Sequence, residues 1–188
     1  MNIQFFIHRA YKGKKRKTGD PYTSHLYAVK NILKEAGVHA EYILDAALLH
    51  DILEDTNFTK EYLAFRFGKK IADLVSVVSK IEHWNTSYCR MKSNLDYMEH
   101  SWKIHPEAIV IKMADRLHNL KTIYGFRNEK KKEYIGETEN FLIPLFQKFL
   151  QEIDLGILKN PANNLLLQIE NEVQDIQKRF FSLRKQAL

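Results

Sequence analysis

Between Ala40 and Leu53 the residues Tyr42, Ile43, Ala46, Ala47, Leu48, Leu49, Ile52 and Leu53 would cover most sides of a helix with apolar groups. A helix without a solvated face has to be buried. The rest of the chain must therefore wrap around this segment. With only 7 Gly and 4 Pro in 188 residues, the chain holds about half the usual share of both. Turn-rich β folds need more of each. The expectation is an all-α fold, one helical bundle of about eight helices.

Apolar residues at helical spacing predict further helices over about 2–12, 22–36, 59–67, 71–81, 88–103, 106–124, 132–153 and 163–185. Pro106 suits a first helical turn, and Pro161 precedes the last helix. No linker or repeat divides the chain. Residues 1–155 are expected to form the domain proper. Residues 156–188 are expected to form a C-terminal helix with Leu165, Leu166, Ile169, Val173 and Ile176 on one stripe. That stripe packs on the same domain or makes a homodimer surface.

Cys89 is the single cysteine, so no disulfide framework and no Cys-based zinc site is expected. No uncharged apolar run approaches a membrane span, and Phe5-Phe6-Ile7 is too short for a signal-peptide core. A cytoplasmic protein without a membrane partner is the expectation. The formal net charge is +6 and the pI about 9.2, a modest bias toward anionic ligands. Its distribution says more: Lys12, Lys14, Lys15, Arg16 and Lys17 crowd one short loop, closed by Thr18-Gly19-Asp20-Pro21. Lys130-Lys131-Lys132 reads as a solvated turn.

The apolar helix ends in His50-Asp51-Ile52-Leu53-Glu54-Asp55. Anions at the negative end of a helix are poorly placed for stability, and buried ones need partners. A His-Asp pair alone is a weak signal, equally read as a polar helix end. His25, on the inward face of its helix, would by itself be a satisfied core residue. Asp115 interrupts the apolar run 109–114, where a carboxylate is costly unless paired. A salt bridge to Arg116 or to a lysine is the plain alternative, although Arg116 points elsewhere on the helix. Asn119 and Thr122 continue one polar stripe from Asp115. Two imidazoles and two carboxylates suit Mn²⁺, Fe²⁺ or Zn²⁺ better than Mg²⁺. Glu54 and Asp55 stand where they could orient a water or take its proton. His118 is either a partner of a ligand or structural.

The order His25, His50-Asp51, Asp115 resembles the HD-domain metal-dependent phosphohydrolases. Longer stretches sharpen the likeness: Arg16 to His25 (RKTGDPYTSH), Ala46 to Thr56 (AALLHDILEDT) and Ile111 to Leu120 (IKMADRLHNL) are similar to the hydrolase domain of RelA/SpoT homologues. Phe67-Gly68 and Ser79-Lys80 fall where that family has phenylalanine-glycine and threonine-lysine. The resemblance covers about residues 5–147 and makes 1–155 an HD-type phosphohydrolase domain. It implies Mn²⁺-dependent hydrolysis of the 3′-pyrophosphate of (p)ppGpp, yielding GDP or GTP and pyrophosphate. His25, His50, Asp51 and Asp115 would then hold the metal, and Glu54 and Asp55 would activate water. Arg16 would lie against the base, Lys17 and Thr18 near the nucleotide, and Asn119 and Thr122 on its nucleoside side. With 188 residues, the chain looks like the stand-alone small alarmone hydrolases.

The chain departs from the pattern at Leu26, where the family often has Pro. It also departs at Asp96-Tyr97-Met98, where long members carry a basic pair, although Arg90 and Lys92 lie nearby. Related readings keep the chemistry and change the substrate: ppApp, the 2′-phosphate of NADPH, or a 3′-pyrophosphorylated tRNA, the last making the protein an antitoxin. A catalytically inactive nucleotide sensor is a further alternative. No P-loop or G-x-G-x-x-G motif is present.

Overall fold

The computed structural model describes residues 2–79 and 87–185, with side chains for 2–79 and 96–179. Lys80 and the side chains of Cys89, Arg90 and Lys92 lie outside the described residues. The described elements are α1 (Ile3–Ala10), α2 (Thr23–Glu35), α3 (Glu41–Leu49), α4 (Ile52–Asp55), α5 (Lys60–Phe67), α6 (Lys69–Val78), α7 (Ser87–Ile104), α8 (Glu107–Lys121), α9 (Asn128–Glu137), α10 (Ile143–Glu152) and α11 (Lys159–Lys185). Among the described residues there is no strand, only an isolated bridge between Lys15 and Pro21. The fold is all-α. None of these helices is long and apolar enough to cross a membrane.

Two helices are buried on nearly every side. In α3, Ile43, Leu44 and Ala46 to Leu49 are all enclosed. In α8 the enclosed set runs unbroken from Ala108 to Ala114 and resumes at Arg116 and Leu117. Helices α2, α3, α6 and α11 pack against α8. The polar residues that α8 carries are thereby committed to the interior. Helix α11 covers α8 and α10 with Ala162, Leu165, Leu166, Ile169, Val173 and Ile176, while Leu167 stays outside.

Three departures from sequence expectation matter for the site. The predicted helix 40–53 is divided: α3 stops at Leu49 and the one-turn α4 starts at Ile52. Between them Asp51 adopts φ −97°, ψ 0°, the sparsely populated bridge region. Ser79 Oγ donates to the His50 carbonyl at 3.3 Å. The predicted helix 132–153 begins earlier, at Asn128, so Lys130 to Lys132 lie on α9 and not in a turn. It then passes through a π-helical turn, Thr138–Leu142. Pro144 sits at the start of α10; its nitrogen has no hydrogen to donate back to the preceding turn, and the ladder shifts there. Pro161 lies inside the first turn of α11, where a missing N–H costs nothing.

Replacing fully buried Ile169 by Ala should destabilise the protein by about 2–5 kcal/mol. Leu167→Ala, at a position 56% exposed, should stay within about 0.5 kcal/mol of the parent. Urea unfolding of both variants checks which face of α11 is inside.

Candidate metal centre and active-site cleft

Helices α2, α3 and α8 meet at a cluster of four side chains. His25 comes from α2, Asp115 from α8, and His50 and Asp51 from the break after α3. His25 Nε2 lies 3.1 Å from His50 Nε2, 3.5 Å from Asp51 Oδ2 and 3.3 Å from Asp115 Oδ1. His50 Nε2 lies 3.1 Å from Asp51 Oδ2 and 3.7 Å from Asp115 Oδ1. Donors bound about 2.1 Å from one divalent ion sit about 3.0–3.4 Å apart, close to this spacing.

The outer nitrogens fix how the rings point. His50 Nδ1 donates to the Ala47 carbonyl at 2.8 Å, which leaves Nε2 with its lone pair toward the cluster. His25 Nδ1 lies 2.8 Å from His118 Nδ1. Burial, with the charge of Arg16 nearby, lowers His118 to about 4, so its ring is neutral. With the hydrogen of the His25–His118 contact on His25 Nδ1, His25 Nε2 turns a lone pair to the cluster as well. Two imidazole lone pairs facing each other at 3.1 Å repel unless a cation lies between them. Without a metal, that cation is a proton. Burial works to lower His50, but Asp51 and Asp115 outweigh it and hold the ring well above its ordinary value. Burial would likewise raise both carboxyls, and the imidazoles opposite keep them well below the carboxylate range. This donor set fits a divalent metal. The hydrogen bond to Ala47 O is a usual support of a ligating histidine, and His118 takes the corresponding place beside His25.

The cluster forms the floor of a cleft of about 790 Å³. One wall is the loop after α1. It folds back on itself through Arg16 N–H to Asp20 O at 2.8 Å and Tyr22 N–H to Lys14 O at 2.9 Å, with Gly19 at φ +94° making the reversal. Its tip rests on the turn after α8, where a Cβ on Gly125 would meet Thr18 Cγ2 at 3.2 Å. Arg16 Nη2 donates to Asn119 Oδ1 at 3.0 Å and to Thr122 Oγ1 at 3.2 Å. Asn119 in turn donates to Asp115 Oδ1 at 2.6 Å. The guanidinium is thus held in a fixed plane and tied to the metal centre through one amide. Lys17 lies 4.8 Å over the Phe126 ring. Lys17, Thr18, Glu54 and Asp55 all line the cleft.

Several residues escaped the sequence reading. Tyr22 donates its hydroxyl to Asp51 Oδ2 at 2.7 Å, and its ring stacks on Tyr11 at 4.9 Å. Lys14 stands 4.9 Å over Tyr22 and reaches Asp55 Oδ1 at 2.6 Å. As one charge in a basic run, Lys14 gave no signal of its own. Lys112 is the lysine near Asp115, 3.7 Å from Oδ2; a lysine three residues before it in an apolar run was the available clue. Arg116 turns away from Asp115 as expected. It bonds Glu137 at 3.1 Å and Thr138 at 3.3 Å and lies over the Tyr134 ring.

The model of the HD domain matches residues 5–148. The chain is 40% identical over 152 residues to a guanosine-3′,5′-bis(diphosphate) 3′-pyrophosphohydrolase of Aquifex aeolicus, covering 74% of this chain and 21% of that protein. It is 36% identical over 137 residues to a GTP pyrophosphokinase of Streptomyces coelicolor, covering 73% of this chain and 16% of that one. The chain thus spans about a fifth of the length of the curated relatives it matches. A solved structure, described as a metazoan orthologue of SpoT that hydrolyses ppGpp, shares the fold with a TM-score of 0.74. Identity there is 24%, over 92% of each chain. The chain belongs to the HD-domain family.

His118→Phe should lower divalent-ion affinity about 10- to 100-fold by freeing the His25 ring. Calorimetric titration with Mn²⁺ checks this. Because the metal must displace the proton held by His50, Mn²⁺ affinity should fall as the pH is lowered from about 8 to about 6. Affinity that is flat over that range would remove the proton from the cluster.

Proposed function

We propose that the protein hydrolyses the 3′-pyrophosphate of guanosine alarmones, (p)ppGpp, with Mn²⁺ as the working ion. The observation that carries this reading is the placing of the buried His/Asp donor set in one cleft with a pre-set arginine, Arg16, on its wall. The names of the relatives support the substrate, since both the hydrolase and the pyrophosphokinase act on guanosine polyphosphates.

A divalent ion among His25, His50, Asp51 and Asp115 would supply a Lewis acid that offsets phosphoryl charge and acidifies water. The chain's own groups do the rest. Arg16, planar and held by Asn119 and Thr122, stacks on the base. Lys17 and Thr18 border the nucleotide, and the charge of the loop draws a polyphosphate in. Glu54 and Asp55 take the proton of the attacking water. The water oxygen forms the new bond to the phosphorus nearest the ribose. The bond from that phosphorus to the 3′ oxygen breaks, the 3′ oxygen ends protonated, and pyrophosphate leaves. Lys14 aims Asp55 through their ion pair, and the Tyr22 hydroxyl does the same for Asp51.

Incubation with Mn²⁺ and ppGpp should yield GDP and pyrophosphate, and Asp51→Ala should yield neither. Products from ppApp, NADPH or 3′-pyrophosphorylated tRNA, with none from ppGpp, would replace the substrate and keep the chemistry. Glu54→Gln or Asp55→Asn should reduce kcat by about 100-fold or more while nucleotide and metal still bind. Arg16→Ala should raise KM more than it lowers kcat. A fall in kcat alone would remove the stacking role.

A further inference from the structure

We propose that Lys112 is the residue that grips the pyrophosphate group. This inference rests on the hydrolase reading for its substrate, but its observation is independent. Lys112 is 6% exposed, yet its side chain borders the cleft. A buried ammonium is costly unless its three N–H groups find acceptors. Here Nζ has the Val78 carbonyl at 3.5 Å and Asp115 Oδ2 at 3.7 Å. Neither reaches the length of a full hydrogen bond, let alone a charge-assisted one. The described residues give it no closer acceptor.

Lys15 and Lys17 line the cleft from the exposed loop after α1, and the remaining cations around it are committed. Arg16 is held by Asn119 and Thr122, and Arg116 by Glu137 and Thr138. Lys14 is bound to Asp55, and Lys130 to Glu133 at 3.0 Å. Lys112 is the buried cation with donors to spare. It is also the one beside the metal centre: Asp115 turns Oδ1 to the imidazoles and Oδ2 to Lys112. A phosphate chain brought to the ion donors on one side of Asp115 meets the ammonium on the other. Lys112 thus touches the end of the substrate that leaves as pyrophosphate, while Arg16 holds the base.

The competing explanation is that Lys112 only neutralises Asp115. Titration of dialysed, Mn²⁺-loaded protein with inorganic pyrophosphate, and separately with GDP, distinguishes the two. Lys112→Met should weaken pyrophosphate binding about 10- to 100-fold, the size of a lost charged hydrogen bond. GDP affinity should stay within about 2-fold, and Mn²⁺ affinity within about 3-fold, of wild type. Lys112→Gln, which keeps a donor for Val78 O, should lose pyrophosphate equally, and Lys112→Arg should recover most of it. Unchanged pyrophosphate affinity in the Gln variant overturns the proposal. So does a loss of Mn²⁺ affinity equal to the loss of pyrophosphate, or a wild-type protein that binds no pyrophosphate. A wild type that binds pyrophosphate through Lys112 but leaves ppGpp intact overturns the hydrolase reading alone.

Discussion

Two carboxylates and two imidazoles meet inside this protein because the helices that carry them cannot be anywhere else. Helix α8 is enclosed on nearly all sides and brings Asp115 with it; α3 is enclosed and ends at His50. The four groups face one another at 3.1–3.7 Å. In a low-dielectric interior such a cluster is stable only around shared positive charge. Whatever occupies that point, proton or metal, completes the packing of three helices. A metal that displaced the proton would add its binding free energy to the stability of this fold.

Around this point the structure adds rigidity in layers. His118 and the Ala47 carbonyl orient the imidazoles. Tyr22 orients Asp51. Asn119 joins Asp115 to Arg16. The supports come from α3, from α8 and from Tyr22 just before α2, so misplacing any one of them alters the donor geometry by more than its own contact. Functional constellations held by packed neighbours in this way lose little freedom when a ligand arrives.

Much of this was legible in the chain, for a definite reason. Polar residues on otherwise apolar helix faces stand out against a 3.6-residue period, and His25 and Asp115 stood out in that way. The all-α class followed from few glycines and prolines and from the same period. What stayed hidden was set by contacts between distant segments. Helical periodicity does not register the departure of the backbone from α geometry at His50–Asp51, because the apolar pattern continues across it. The π turn at 138–142 answers to Pro144 and to Thr138, whose hydroxyl meets Arg116 from another helix. Lys14 looked like its solvated neighbours because nothing local distinguishes the one lysine that reaches Asp55.

That lysine gives the loop a second significance. Lys14 and Arg16 are two residues apart on one folded strip, braced by the Lys15–Pro21 bridge. One end of the strip fixes the plane on which a base would rest, and the other fixes a carboxylate at the floor of the cleft. On the proposed reading, recognition and reactivity share this one strip. Exchanging this loop for another, with the aim of changing which nucleotide is accepted, would also change where the Asp55 carboxylate points. If Arg16 reads the base and Asp55 handles the proton, substrate preference and turnover are coupled through this strip, and a change selected for one is felt by the other.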